Sequence, residues 1–428
     1  MRTIQFPKAT LIVAASFFVA ACGGGGGESS VPPGTPVAGG GGGTGGGSPP
    51  AEPASKIDSE IEASRFLARA TFGGSKRDIA SLNGDDAADW LAREFSKSAS
   101  LTMPALLAEP RDSEGRLRNQ RVNELYWDHI ITANDQVRQR MAFALSQILV
   151  YSDAADSDQI TRTYYQDILI RNALGNYRDL LEEVTYSPAM GQWLTYLANR
   201  KGDPRKGRMP DENYAREVLQ LFSIGLIELN MDGTPKLDAQ GQQIETYTND
   251  DIEGLARVFT GLSWSGGDFW KKPQDGPINP MIMYPEQHSE LEKTFLGTTI
   301  PAGTSGTETI DRALDTIFEH PNVAPFMSRL LIQRFTQSDP SPAYVQRVAT
   351  AFESGRFTAD NGRVFGTGQR GDLQATLAAV LLDASTFAEP GSGATVTSGK
   401  VREPILRFTH WARIHKGIGG GQDGSTRW

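Results

Sequence analysis

From Ile57 onward, apolar residues recur at three- and four-residue intervals in one segment after another, and no strand-like run alternates with a helical one. That period restricts the chain to packed amphipathic helices, because each helix must lay its apolar stripe against a neighbour. The first segment, "IDSEIEASRFLARATFG", places Ile57, Ile61, Phe66, Leu67 and Ala70 near one face, with Asp58 and Ser59 as cap candidates and Gly73 as the stop. "QVRQRMAFALSQILV" and "YYQDILIRNALGNYRDLLEEV" continue the pattern, the second broken at Gly175. Further helices are expected at "IDRALDTIFEH", "VAPFMSRLLIQRFTQ", "SPAYVQRVATAFES", "DLQATLAAVLLDAST" and "VREPILRFTHWARIH". The fold class is mainly α, a multi-helix globular domain over residues 56–428.

Two stretches depart from the period. In "LIELNMDGTPKLDAQGQQIETYT" the turns DG and AQG separate short β-type runs, which reads as a small inserted β-hairpin. Its Asn230, Asp232 and Asp238 lack the spacing of a calcium loop and are better explained as turn formers. A helix restarts at "TNDDIEGLARVFTGL", with Thr248 as N-cap and Asp251 at the third helical position, close to a capping box. Residues 261–287 have no period and carry four prolines among glycines and aromatics. Disordered segments are poor in aromatics, so Trp264, Phe269, Trp270 and Tyr284 mark this as a functional loop.

The N-terminus has a different character. Arg2 and Lys8 precede the apolar run "ATLIVAASFFVAA", too short to span a bilayer comfortably and bounded like a secretory signal. It closes on "VAAC", which resembles the bacterial lipobox, so residues 1–21 are expected to be a signal peptide and Cys22 the lipidated first residue of the mature chain. Cys22 is the only cysteine, which excludes an intrachain disulfide and a multi-cysteine metal site. Residues 22–55 are then a Gly/Pro/Ser-rich tether, with a root-mean-square reach of roughly 30 Å. The expected location is the bacterial cell envelope, lipid-anchored and facing the periplasm or exterior. The formal charge of −9 becomes more negative once Arg2 and Lys8 are removed. An acidic chain argues against nucleic acid and against general adhesion to anionic lipid, leaving the anchor as the membrane contact.

Several catalytic signatures can be rejected. "GDPRKGRM" has the glycine spacing of a phosphate loop, but Arg208 and Met209 stand where Lys and Ser or Thr are required, and no strand precedes it. It reads as a basic loop whose Arg200, Lys201, Arg205, Lys206 and Arg208 could also meet an anion. There is no HExxH and no GxSxG. In "PEQHSELEK", Glu286, His288, Glu290 and Glu292 alternate, so on an extended segment they point to one side as metal ligands or an acid/base group, or simply as a solvated acidic stretch. "DENYAREVLQLFSIGL" reads as a helix with Tyr214, Val218, Leu221, Phe222 and Gly225 on the apolar face and Asn213, Arg216, Glu217 and Gln220 on an adjoining polar stripe. Asp211 and Glu212 suit the positive end of the helix dipole.

The blocks "ASRFLARATFG", "NALGNYRDLLEEVTYSPAMGQWL", "DENYAREVLQLFSIGL", "YTNDDIEGLARVFTGLSW", "HSELEKTFLG", "HPNVAPFMSRLLIQRF", "RGDLQATLAAVLLD" and "GKVREPILRFTHW" occur in the order seen in a bacterial family, the domain of unknown function 1800, which this chain resembles over most of Ser64 to Trp411. The resemblance implies a mostly helical domain on secreted or envelope-attached proteins and no established activity. Within it, Asp211 replaces the family's usual Asn, and Leu291 replaces a small residue. Members commonly continue past the last block, so the chain is expected to be short or truncated at its C-terminus.

The function expected from these features is that of a helical binding or assembly module for an envelope glycan, peptide or protein partner, with Asn213, Arg216, Glu217, Gln220, Trp264, Trp270, Tyr284 and His288 as binding candidates. The alternative is an envelope hydrolase or transferase in which Glu217 is the base, His288 an acid or metal ligand and Arg216 a clamp. A purely structural Arg216–Glu217 pair is a third reading. No cofactor is identified; a divalent metal held by Glu286, His288 and Glu290 is allowed but not favoured.

Overall fold

The computed structural model describes residues 55–111, 119–152, 158–273, 279–387 and 399–415. The signal segment, Cys22, nearly all of the tether and the last thirteen residues lie outside the described residues. Among those described, seventeen α-helices follow one another, none longer than fourteen residues, with only three two-stranded antiparallel sheets. The chain is therefore mainly α with small β-hairpins, as its period requires.

Helix ends follow local chemistry. Ser59 caps Glu60–Ala70 by accepting from the Glu62 amide at 3.2 Å. The face expected for this helix needs one correction: Ala63, Phe66, Leu67 and Ala70 are buried, whereas Ile61, in its first turn, is 70% exposed. Gly73 does not end the helix. The chain already leaves it at the extended Thr71, and a Cβ at Gly73 would lie 2.4 Å from the His410 ring. Asn176 caps Tyr177–Thr185 just after the break at Gly175, and Thr248 and Asp251 form the expected capping box on Asn249–Val258. The five later helices appear as Gly306–Glu319, Val323–Phe335, Pro342–Ser354, Leu373–Leu381 and Pro404–His415. The inserted hairpin is a set of isolated antiparallel bridges, Ile227 with Glu245, Leu229 with Pro235 and Leu237 with Gln243. Asp232 and Asp238 spend their carboxylates on turn amides and a hydroxyl.

Short helices leave many carbonyl ends inside the core. Buried tyrosines bond to carbonyls at or near these ends: Tyr165 donates to the Leu149 carbonyl at 2.6 Å, Tyr196 to Thr185 at 2.7 Å, Tyr177 to Phe222 and Tyr344 to Val380. Burial pushes all four phenols well up, so they remain protonated donors. A smaller cluster, Phe72, Ile130, Ile131, Leu406 and Ala412, joins Pro404–His415 to Asn119–Thr132.

The helix Asn249–Val258 lies against the strand Lys293–Phe295, and Gly254 sets their separation: a Cβ there would stand 1.9 Å from the Thr294 carbonyl oxygen. Backbone cannot yield as a side-chain tip can. Gly254→Ala is therefore expected to destabilise the fold by about 1–3 kcal/mol despite the better helix propensity of alanine, measured as a lowered urea midpoint with unchanged slope.

Candidate functional site

The helix Asn213–Gln220 is held in one rotational phase by Tyr214. Its ring stacks on Tyr196 with centroids 4.1 Å apart and meets Phe259 edge-on at 4.7 Å, while its hydroxyl lies 2.7 Å from Thr185 Oγ1. Tyr214, Val218, Phe222 and Gly225 are buried as expected. Leu221 is not; the helix closes at Gln220, its period lapses there, and Leu221 is 45% exposed. Fixing that phase leaves Asn213, Arg216, Glu217 and Gln220 half-buried along the boundary. Arg216 reaches Glu212 at 3.4 Å, whereas Glu217 Oε2 is buried with no hydrogen-bond partner. Burial raises the Glu217 carboxyl above its ordinary range, and the nearby Arg216 charge only partly offsets this.

His288 was expected on one side of an extended segment with Glu286, Glu290 and Glu292. The structure overturns that arrangement, because Pro285–Gln287 is a 3-10 turn that breaks the two-residue alternation. His288 and Ser289 turn inward, and the three glutamates stay exposed, Glu290 lying 3.5 Å from Lys201. His288 Nδ1 is 2.8 Å from the Thr260 carbonyl. A carbonyl only accepts, so Nδ1 carries the proton and Nε2 keeps a lone pair, which is buried and unpartnered. Burial lowers the imidazole pKa, against the Thr260 hydrogen bond and with the charges of Lys293 and Lys201, so the ring is neutral at pH 7. Beside it Lys293 is fully buried, donating to the carbonyls of Ser289 at 2.7 Å and Leu291 at 3.1 Å with no carboxylate partner. Burial, with the charge of Arg257, brings its ammonium down to about 8.

A loop between them ties these two stretches together. The Asp211 amide donates to Asn199 Oδ1 at 3.0 Å, and the Gly261 amide to the Asn199 carbonyl at 2.8 Å. The Tyr284 amide then donates to Gly261, and the Lys201 amide to Gln287, each at 2.8 Å. Gly261 has φ +90°, and a Cβ there would approach His288 Cβ to 3.1 Å. Thr195 and Ala198 hold φ of 61° and 59°, left-handed values that cost non-glycine residues on the order of 1 kcal/mol or more each. The helix, the Gly261 turn and the His288 turn thus share one strained scaffold. Arg216, Glu217 and His288 nevertheless do not form one relay: no hydrogen bond joins any two of them. The charges felt by His288 are those of Lys293, Lys201 and Glu290, while Glu217 feels Arg216.

The aromatic loop packs mostly on itself. Trp264 and Phe269 are buried, and the half-buried Tyr284 hydroxyl donates to the carbonyls of Trp264 at 2.8 Å and Gly267 at 3.2 Å. Phe269 sits edge-on between Tyr284 and Trp270. Trp264 and Tyr284 therefore shape the loop rather than present their rings. Trp270 is 58% exposed, and the Arg200 guanidinium lies 4.8 Å above its ring.

Among the described residues no three of His, Cys, Asp and Glu gather closely enough to hold a metal ion; His288 is buried while Glu286 and Glu290 are exposed. The residues that sequence reasoning passed over are Asn199, Thr260, Ser289 and Lys293. Ser289 and Lys293 lie in the "HSELEK" block and Thr260 in "VFTGLSW", but Asn199 lies in no such block, and the roles of Asn199 and Thr260 rest on backbone partners that only folding brings to them. Leu291, the departure noted in that block, is 64% exposed and contributes only its carbonyl.

A family model described as "Protein of unknown function (DUF1800)" matches residues 65–426. No curated protein and no solved structure matches the chain.

The buried Lys293 makes a prediction with a definite sign. The unfolded chain holds this proton up to the usual lysine range and the folded chain only to about 8, so between those values stability rises with pH. Lys293→Met lacks that gain. Urea melts at pH 7 and pH 10 are expected to shift the stability difference in favour of the parent by on the order of 2 kcal/mol as pH rises. An unchanged difference would show that Lys293 titrates normally.

Proposed function

The chain belongs to the DUF1800 family of proteins of unknown function, and from that premise we propose that it is a lipid-anchored binding or assembly module of the cell envelope, docking an acidic glycan or peptide partner through the face around Trp270. The observation that carries this reading is the exposed Trp270 ring under the Arg200 guanidinium, on a loop locked by the Tyr284 hydroxyl. A rigid aromatic surface loses little entropy on binding, and a guanidinium above it adds a site for carboxylates. The adjoining basic loop supports the same choice of partner: Arg205 and Lys206 are exposed on the turn Pro204–Lys206, next to Lys201. On a chain that is acidic overall, a local cationic face selects an anionic partner without general adhesion.

One observation favours a second reading, an envelope hydrolase or transferase. The neutral His288 with an unpartnered Nε2 has the lone pair that a general base needs, and burial raises Glu217, the direction that suits an acid/base carboxyl. As the two are not bonded, each would act alone or on different parts of a substrate.

Two experiments test the first reading. Co-sedimentation with insoluble cell-wall glycan is expected to weaken about tenfold or more in Trp270→Ala and Arg200→Ala, with melting temperatures close to the parent because Trp270 is exposed. Equal binding by all three proteins would sink the docking face. For the anchor, Cys22→Ala is expected to move the protein from the membrane to the soluble fraction of the host cell; continued sedimentation with membranes would remove lipidation as its cause.

A further inference from the structure

The helices Asn119–Thr132, Gln136–Ser146 and Gln159–Asn172 bound a cavity of about 330 Å³. Among the described residues its walls are largely aromatic: Tyr126, Phe143, Tyr151 and Tyr165 line it, the last two with ring centroids 5.3 Å apart. The buried Ala142 and Leu169 add aliphatic surface between the rings.

Three neutral polar groups in this lining are not used by the fold. Gln139 is 3% exposed, and its Nε2 is spent on the Ser100 carbonyl at 2.9 Å and on Asp135 at 3.2 Å. Its Oε1 has no donor among the described residues, yet it is not sealed from solvent, so it opens into the cavity that Gln139 lines. The Tyr126 hydroxyl and the Gln166 amide likewise make no hydrogen bond among the described residues and stay reachable from the cavity. Burial pushes the Tyr126 phenol up to about 12, so it is a neutral donor at pH 7. Charge in the lining is already engaged: the Arg162 guanidinium donates to Asn123 Oδ1 at 3.0 Å and to Gln159 Oε1 at 2.9 Å. What this cavity offers a ligand is therefore aromatic surface with one buried acceptor, one hydroxyl and one amide.

We propose that the cavity binds one N-acetylated hexosamine unit, a neutral sugar ring bearing an acetamido group. Ligand pockets combine apolar walls with a few polar groups that fix orientation, and this volume is at the small end of their range, which fits one ring rather than a chain. The C–H face of a pyranose packs on aromatic walls. An acetamido N–H is the donor that Gln139 Oε1 lacks, its carbonyl accepts from Gln166 or Tyr126, and its methyl suits the surface of Ala142 and Leu169. A planar aromatic ligand would cover the walls but leave these groups unpaired. The Trp270 face takes no part, since Trp270 does not line the cavity.

The test is thermal melting of the purified protein titrated with N-acetylglucosamine, glucose or phenol. A saturable rise is expected with N-acetylglucosamine, half-complete at a concentration about tenfold below that for glucose, and none with phenol. Gln139→Leu could fail to fold because it also removes the bonds to Ser100 and Asp135, so Tyr126→Phe and Gln166→Leu carry the argument. Neither removes a hydrogen bond among the described residues, and both are expected to melt as the parent does without sugar. Each is expected to need about fivefold or more N-acetylglucosamine for the same rise, whereas Trp270→Ala responds in full. No rise, an equal or stronger response to glucose or phenol, or a full response in both cavity variants would overturn the proposal. So would loss of the response in Trp270→Ala, which would move the sugar to the other face.

Discussion

Bonding buried helix-end carbonyls is the constraint on which the architecture rests. With no described helix longer than fourteen residues, the core contains many carbonyl ends, and an unpaired buried carbonyl costs more than a hydrogen bond returns. Tyr165, Tyr177, Tyr196 and Tyr344 meet this need with hydroxyls carried on rings that also fill the core. Their bonds cross between elements, Tyr177 to the stretch after Asn213–Gln220 and Tyr344 into Leu373–Leu381, so closing one helix also fixes the position of another.

The candidate site inherits that rigidity. Tyr196 bonds the end of Tyr177–Thr185 and stacks on Tyr214, and the loop that leaves Tyr196 carries the strained Ala198 and the bonding Asn199. Strain of this kind survives only where surrounding bonds over-determine it. Here those bonds reach Leu262, Gly261 and Asp211, so the same tyrosine pair that closes the core holds the helix and the His288 turn in fixed relation.

Charge is distributed against the average. The chain is acidic, yet among the described residues its cations gather in two places: the exposed loop beside Trp270, and a cavity lined by Arg69, Arg140, Arg334, Lys400 and Arg402. The first costs little, because solvent screens it. In the second, the Glu403 carboxylate pairs with Lys400 and offsets part of the charge of Arg140 and Arg402.

Local patterns determined the helices. A three-to-four-residue period, side-chain caps such as Ser59 and Thr248, and the break at Gly175 are contacts within a few residues, so the mainly α class, the helix order and the polar stripe through Glu217 were legible in the sequence. What failed was what depended on distant partners. Ile61 and Leu221 sit at helix ends, where periodicity no longer predicts which face is covered. The alternation of Glu286, His288 and Glu290 assumed an extended backbone that Pro285–Gln287 does not adopt. Asn199 matters through backbone groups brought to it by folding, and Trp264 is covered by its own loop. The cavity shows the limit most plainly: Arg65 and Arg402 stand near opposite ends of the described residues and meet only because their helices pack. Sequence determined which segments would be helical because that energy is local; tertiary structure alone decided which charges would share a buried space, because that energy exists only once the helices are in contact.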